Sequence, residues 1–598
     1  MSFWDFLDDI FYAELEDPPG AIYGTSGDDY LRGGSESNYM KGYDGNDRME
    51  GGGGNDYLDG GTGNNTLSFF NTNHGVNANL AFGTSSTYGA GPADNDTFIN
   101  FQNITGSFYA DLLQGDEGVN VIDGVAGNDY ISGWGGNDNL IGGFGNDVLV
   151  GGEGNDTLSG GFDNDTLYGG NGIDTADYTY AYQGMNVNLA TGSAQVNVYN
   201  APVDTDYLNS IENITGSYYA DRLTGDDGAN RIVGLSGDDS ITGAGGADFL
   251  SGGDGNDTID GGAGADTIVG GTGVDTVSFY NATNSVGVNL SAGVGTLGDA
   301  FGDHYYEIEN IQGSNIDSGD VLIGNGVGNI IWGNGGNDVI NGNGGDDALY
   351  GGAGNDNIQG GDGIDFINGG EGANYLDGGA GIDTLDFSPG FGGVGPEGPG
   401  VTVDLAAHTA SGLGVDGTQV FNFENVNGTA FDDTISGDAG NNIIHGGMNQ
   451  DVLAGRAGVD TLFGETGADR LNGGAGNDIL NGGEGRDILT GSTGNDTFVF
   501  SALTDSGTTA TTRDTITDFV SGQDRIDLSG IDANANASGD NAFSFIGDLA
   551  FSHIAGQLHT EASGANTILS GDVNGDGVAD FQILLTGQQT LTAADFIL

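Results

Sequence analysis

The sequence predicts an all-β chain wound as a parallel β-roll or β-solenoid. Three features carry that prediction. An aspartate or its amide returns every nine residues, an aliphatic side chain stands two positions after it, and glycines crowd the turn before it. From Asp433 to Asp496 the polar column runs Asp433, Asn442, Asp451, Asp460, Asp469, Asp478, Asp487, Asp496. The apolar column beside it runs Ile435, Ile444, Leu453, Leu462, Leu471, Leu480, Leu489, Phe498. The unit reads G-G-x-G-x-D-x-U-x with U aliphatic, as in residues 473–481.

A turn rich in glycine adopts positive φ and turns its carbonyls outward. The three residues after it form a short strand with one inward side chain. One nonapeptide is therefore half a coil, and two make a rung. A lone rung cannot bury its aliphatic residues, so rungs must stack. Stacking sets each carboxylate beside the turn of the next rung on the same side. Carbonyls and carboxylates without sulfur or imidazole form a hard oxygen cage suited to calcium.

This nonapeptide resembles that of the RTX (repeats-in-toxin) family. The resemblance implies rows of calcium ions between turns, ligated by the aspartates at the sixth position of each unit. Block 21–65 has such slots at Asp29, Asn38, Asp47, Asp56 and Asn65, although the unit before Asn38 has lost its glycines. Block 106–175 has Asp111, Asn120, Asp129, Asp138, Asp147, Asp156, Asp165 and Asp174. Block 216–276 has Asp221, Asn230, Asp239, Asp248, Asp257, Asp266 and Asp275, and block 313–384 has Asp320, Asn329, Asp338, Asp347, Asp356, Asp365, Asn374 and Asp383. Block 428–496 supplies the slots that open this section. Of the 36 slots 29 are aspartate, and these are the expected ligands.

Residues 1–20 precede the first block. Phe3, Leu7, Ile10, Phe11 and Leu15 share one face of an expected helix over 2–16, started by Ser2 and Asp5 and stopped by Asp17-Pro18-Pro19-Gly20. It is expected to cover the first open rung, with docking to another protein as the alternative. Its acidic polar face disfavours a membrane surface.

Four inserts, 66–105, 176–215, 277–312 and 385–427, separate the blocks and resemble one another. They share a strand at Val187–Leu189, Val288–Leu290 and Val401–Leu405, with Asn77–Leu80 a weaker copy. They close on phrases such as Ile211-Glu212-Asn213-Ile214. Alternating polarity predicts broader solenoid rungs acting as spacers. The alternative is contact with a partner through loops 85–96, 199–206 and 389–400. The second slot after every insert is an amide: Asn120, Asn230, Asn329 and Asn442. A carboxylate there, facing a turn without calcium, would lack its cation. These four positions are expected to be weak or empty.

Residues 497–598 are similar to the C-terminal domain of serralysin-type secreted metalloproteases. The matching phrases are Asp514-Thr-Ile-Thr-Asp518-Phe519, Gly522-Gln-Asp524-Arg525-Ile526-Asp527-Leu528 and the terminal Ala594-Asp595-Phe596-Ile597-Leu598. That resemblance implies a cap on the roll and an uncleaved signal for a type I secretion apparatus. Asp572, Asn574, Asp576 and Asp580 stand at positions 1, 3, 5 and 9 of a loop like an EF-hand, but Ile583 occupies position 12, where a glutamate would be needed. A calcium-capable β-hairpin is expected there.

The formal charge is -77, which excludes nucleic acid and anionic membrane as natural partners. Without cations such a chain repels itself into disorder. Cysteine is absent, so calcium takes the role of disulfides. No apolar run is long enough to span a bilayer, and the N-terminal sequence lacks the pattern of a Sec signal. The six histidines, His74, His304, His408, His445, His553 and His559, form no H-E-x-x-H, and neither G-x-S-x-G nor a P-loop is present. The expectation is a non-enzymatic, extracellular calcium-binding protein, structural or adhesive at a bacterial surface or in its matrix, binding polysaccharide or itself. A scaffold for a separate enzyme and a polysaccharide epimerase or lyase are the alternatives.

Overall fold

In this computed structural model the described residues are 20–88, 94–196, 204–388, 400–412 and 414–598. The helix expected over 2–16 lies outside them. The chain divides into two units, Met1–Val277 with Gly302–Ile308, and Ser278–Phe301 with Glu309–Leu598.

In the first unit, successive short strands fall alternately on two parallel sheets. One sheet stacks Leu112–Gln114, Tyr130–Gly135, Val148–Glu153 and Thr166–Asn171. The other stacks Val121–Asp123, Asn139–Phe144, Thr157–Phe162 and Thr175–Asp177. The middle residue of each strand points inward, so the core is one aliphatic column per sheet. Leu113, Ile131, Leu149 and Leu167 form one column and Ile122, Leu140, Leu158 and Ala176 the other, all fully buried. Burying one such leucine or isoleucine contributes about 1.5–3 kcal/mol. The second unit repeats the arrangement, with Ile435, Leu453, Leu471 and Leu489 in one column and Ile444, Leu462, Leu480 and Phe498 in the other.

The inserts are not broader rungs. In 66–105, Val76–Asn79 runs antiparallel to Thr84–Thr87, which runs antiparallel to Asn95–Ile99. The outer two strands join the solenoid in parallel: Asn95–Ile99 on Tyr57–Asp59 of the preceding block, and Val76–Asn79 on Leu112–Gln114 of the next. A three-strand meander returns the chain in its original direction, so the parallel register resumes. The same splice occurs at Met185–Asn188, Ser193–Val196 and Thr205–Asn209, and at Thr402–Asp404, Thr409–Ser411 and Thr418–Phe421. The insert at 277–312 keeps the antiparallel pair Gly287–Asn289 and Val294–Leu297.

Nine-residue spacing stops at Asp496, yet stacking continues. Asp514–Ile516 pairs with Ile488–Thr493, and Arg525–Asp527 with Thr497–Val499. An antiparallel sheet of Gln557–Ser563, Asn566–Asp572 and Phe581–Leu585 then covers one edge, and Phe596–Ile597 closes the other. Capping both edges removes unpaired strand groups from solvent. No helix among the described residues is long and apolar enough to cross a membrane.

Candidate metal centre

The aspartates of the nonapeptides form ladders. Along a ladder an aspartate donates its backbone N–H to a side-chain oxygen of the residue one rung later, in most cases Oδ1 of another aspartate. Asp111 to Asp129, Asp129 to Asp147 and Asp147 to Asp165 are joined at 2.8, 2.7 and 2.8 Å. The opposite side repeats this from Asp138 to Asp156 and Asp156 to Asp174, both at 2.8 Å. One oxygen of every rung is thus satisfied by the polypeptide.

The other oxygen is not. Oδ2 is buried without a hydrogen-bond partner at Asp47, Asp56, Asp129, Asp138, Asp147, Asp156, Asp165, Asp174, Asp239, Asp248, Asp257 and Asp266. In the second unit the same holds at Asp338, Asp347, Asp356, Asp365, Asp383, Asp451, Asp460, Asp469, Asp478 and Asp487. An unpaired buried carboxylate oxygen is costly unless it is protonated or meets a cation. Glycine shapes the space it faces. A Cβ on Gly142 would run into both Asp147 Oδ2 and the Gly160 carbonyl one rung on, so these two oxygens converge on one cradle. The donor set is all oxygen, and it fits calcium.

The amide slots act as an internal control. Where asparagine replaces aspartate, its Nδ2 donates to a backbone carbonyl: Asn120 to Gln102, Asn230 to Glu212, Asn329 to Glu309 and Asn442 to Glu424, at 2.8, 2.6, 2.6 and 2.9 Å. Asn38, Asn65 and Asn374 do the same toward Gly20, Asn100 and Gly369. In Asn65 and Asn374 that N–H stands at the Oδ2 position of the aspartate slots; in Asn38, Asn120, Asn230, Asn329 and Asn442 Oδ1 takes that position and accepts the N–H of the residue four before it.

The first slot of each block differs from the others. Ser107 donates its N–H to Asp111 Oδ2 at 2.6 Å and its hydroxyl to Oδ1 at 2.8 Å. The insert adds the Val76 N–H at 2.7 Å. Ser217 and Met185 serve Asp221 in this way, Ser314 and Val286 serve Asp320, and Thr429 and Val401 serve Asp433. Thr25 bonds Asp29. Both oxygens of Asp111, Asp221, Asp320 and Asp433 are thereby engaged, unlike those of the aspartates with an unpartnered Oδ2. A serine or threonine four residues ahead marks Asp29, Asp111, Asp221 and Asp433 in the sequence.

Sequence periodicity missed several rungs. Asp56, Asp165 and Asp266 donate to Asp96, Asp206 and Asp303 of the inserts. Asp174 and Asp383 donate to Glu212 and Glu424, the glutamates of the closing phrases. Asp487 and Asp496 donate to Asp514 and Asp524 of the C-terminal segment. The loop at 572–580 is a hairpin connection bonded within itself. Asp572 accepts from the Gly575 and Gly577 N–H groups at 2.6 and 2.9 Å, and Asp580 from the Val573 N–H and Asn574 Nδ2, both at 2.8 Å. Asn574 and Asp576 accept from the N–H groups of Asp576 and Val578.

Burial raises the ladder carboxyls above their ordinary range, against the pull of the N–H each accepts. Asp138 and Asp147 are pushed to about 7, Asp129 to about 8 and Asp165 to about 9, with neighbouring acids adding to the effect of burial at all four.

Stacked turns that present half-satisfied carboxylates to a common cradle define a β-roll with oxygen-lined turns suited to a cation. The RTX calcium-binding nonapeptide repeat model matches residues 23–58, 33–67, 105–140, 114–149, 141–176, 215–250, 242–277, 323–358 and 350–385. The Peptidase M10 serralysin C terminal model matches 376–598, including the last block. The chain therefore carries RTX calcium-binding nonapeptide repeats followed by a serralysin-type C-terminal domain. Metallopeptidase AprA of Pseudomonas marginalis is 40% identical over 95 residues, 16% of this chain and 18% of that protein, so the chain spans less than a fifth of that relative. Among solved structures, the AlgE6R2 subunit of the Azotobacter vinelandii mannuronan C5-epimerase is similar over 25% of this chain and 88% of that one, at 29% identity and a TM-score of 0.19. Extracellular lipase LipA of Serratia marcescens is similar over 45% of this chain and 40% of its own, at 21% identity and a TM-score of 0.19.

Proposed function

We propose that this is a secreted protein whose roll is ordered by extracellular calcium, with a structural or adhesive role at the cell surface or in its matrix. The observation that supports it is the column of buried, unpartnered Oδ2 atoms, interrupted by a few amide slots whose polar atoms the polypeptide satisfies. Asp47, Asp56, Asp129, Asp138 and their equivalents hold the ions, with neighbouring turn carbonyls. Asp111, Asp221, Asp320 and Asp433, already bonded, and the amides Asn120, Asn230, Asn329 and Asn442 do not. Bound calcium supplies the positive charge that lets stacked carboxylates stay ionised. Where calcium is scarce, carboxylate repulsion keeps the chain open for type I export. Outside, only the stacked state presents complete cradles, and mass action favours it.

Circular dichroism of the purified chain tests the ordering, since equal β content in EDTA and in millimolar calcium would rule it out. Fractionation of cells with and without chelator tests surface attachment. Release by the chelator supports it, and a protein found wholly in the medium under both conditions counts against it.

A further inference from the structure

The first two inserts each bring an Asp-x-Asp triplet against the acid that ends one ladder of the preceding block. Asp96 Oδ1 accepts the Asp56 N–H at 2.9 Å, and Ser85 Oγ donates to its other oxygen at 3.1 Å. The Asn95 N–H donates to Asn55 Oδ1 at 3.0 Å, which sets Asn95 over Asn55 and therefore Asp94 over Gly54. At this register a repeat turn offers a glycine, and the insert offers a third carboxylate. Ligand oxygens of Asp56, Asp94 and Asp96 all lie within 4.8 Å of one another. Asp56 is 3% exposed, and its Oδ2 is buried without a partner, as is Asp94 Oδ1.

The second insert repeats this register, although among the described residues only the first triplet brings its ligand oxygens within 4.8 Å of one another. Asp165 donates its N–H to Asp206 Oδ1 at 2.9 Å, and the Thr205 N–H donates to Asn164 Oδ1 at 2.9 Å. Asp165 Oδ2 and Asp204 Oδ1 are again buried and unpartnered, and Asp165 is 2% exposed. The other two inserts lack the triplet and close the position differently. Asp303 Oδ2 accepts the Tyr305 hydroxyl at 3.1 Å. In the last insert the neutral Thr418 takes the place of the acid, accepting the Asn374 N–H and donating to the Gly372 carbonyl, both at 3.1 Å.

We propose that Asp56, Asp94 and Asp96, and likewise Asp165, Asp204 and Asp206, form two calcium sites of a separate construction, each made of three side-chain carboxylates. They clamp the root of an insert meander onto the last turn of the block before it. The Thr87 N–H donates to the Asp94 carbonyl, and the Val196 N–H to the Asp204 carbonyl, so each site is tied directly to the middle strand of its meander. Three carboxylates carry more charge than a repeat cradle of one carboxylate and carbonyls. Ligand charge is a main determinant of calcium affinity, so these two sites fill before the ladder.

The inference shares with the proposed function the premise that the chain binds calcium, and one experiment separates the two. Crystals of the full chain grown in calcium and measured near the calcium absorption edge give an anomalous map. A peak about 2.3–2.6 Å from oxygens of Asp56, Asp94 and Asp96, and another among Asp165, Asp204 and Asp206, is expected. Peaks along the ladder, Asp56 and Asp165 included, that leave Asp94 and Asp204 without an ion would overturn this inference and leave the ladder reading intact; no peaks anywhere would overturn both. In solution, the D94N/D204N double variant keeps the dichroism of the parent in calcium and binds two ions fewer per chain by elemental analysis. Unchanged stoichiometry would also overturn the inference.

Discussion

Asp147 donates its backbone N–H to Asp165 Oδ1 at 2.8 Å and leaves its own Oδ2 buried without a partner. The first contact orders the next rung. The second leaves that rung dependent on something the polypeptide does not supply.

Replacing that oxygen with an amide therefore has two opposite effects. In D147N the new Nδ2 donates to a carbonyl, as Asn65 Nδ2 does to Asn100. Without calcium the variant is more stable than the parent by about 1–3 kcal/mol, the cost of one unsatisfied buried polar group. With calcium it binds one ion fewer and gains less on saturation. Denaturant titrations with and without calcium check both signs, and equal shifts in the two conditions would contradict the assignment.

Acid substitutes in part for calcium. The folded carboxyls at Asp138 and Asp147 hold their protons to about 7, well above the ordinary range of an aspartate. Between pH 4 and about 7 the folded, calcium-free chain therefore binds more protons than the unfolded one, and its stability falls as pH rises. Dilute protein in calcium-free buffer should gain β dichroism on going from pH 8 toward pH 5. Calcium binding at pH 7 should release protons, measurable as a dependence of binding enthalpy on the buffer.

Gly142 is a steric requirement of the cradle. In G142A the methyl group meets Asp147 Oδ2 and the backbone oxygen of Gly160. The backbone oxygen cannot rotate away, so the variant loses about 1–3 kcal/mol and the adjacent ion. Thermal melts in calcium check the first effect and ion counting the second.

The core responds as a column. Leu149 is fully buried and stacks between Ile131 and Leu167. L149A costs about 2–5 kcal/mol, because neighbours held at fixed rung spacing cannot collapse into the cavity. The midpoint of calcium-induced folding should move to higher calcium. An unchanged midpoint would show that the aliphatic column contributes little.

Much of the roll was legible from two coupled columns. The strand positions around Leu149 and Leu453 and the same-side neighbours Asp147 and Asp165 follow from a nine-residue period alone. So do the inward residues and the oxygen chemistry of the turns. A repeat encodes its own neighbours, because every partner lies at one fixed separation in the chain. The inserts have no such period, and chain folding set their partners. Asp56 meets Asp96 across 40 residues, and Asp174 meets Glu212 across 38, distances fixed by insert length. For the same reason the sequence alone did not reveal that the inserts are antiparallel meanders. Nor could it show that Ser107 and Val76 satisfy Asp111, while Asp147 is left with a free oxygen. Sequence determined that a cation is needed between the turns. Tertiary structure decided which carboxylates need it, since burial and hydrogen bonding, rather than residue type, leave an oxygen unpaired.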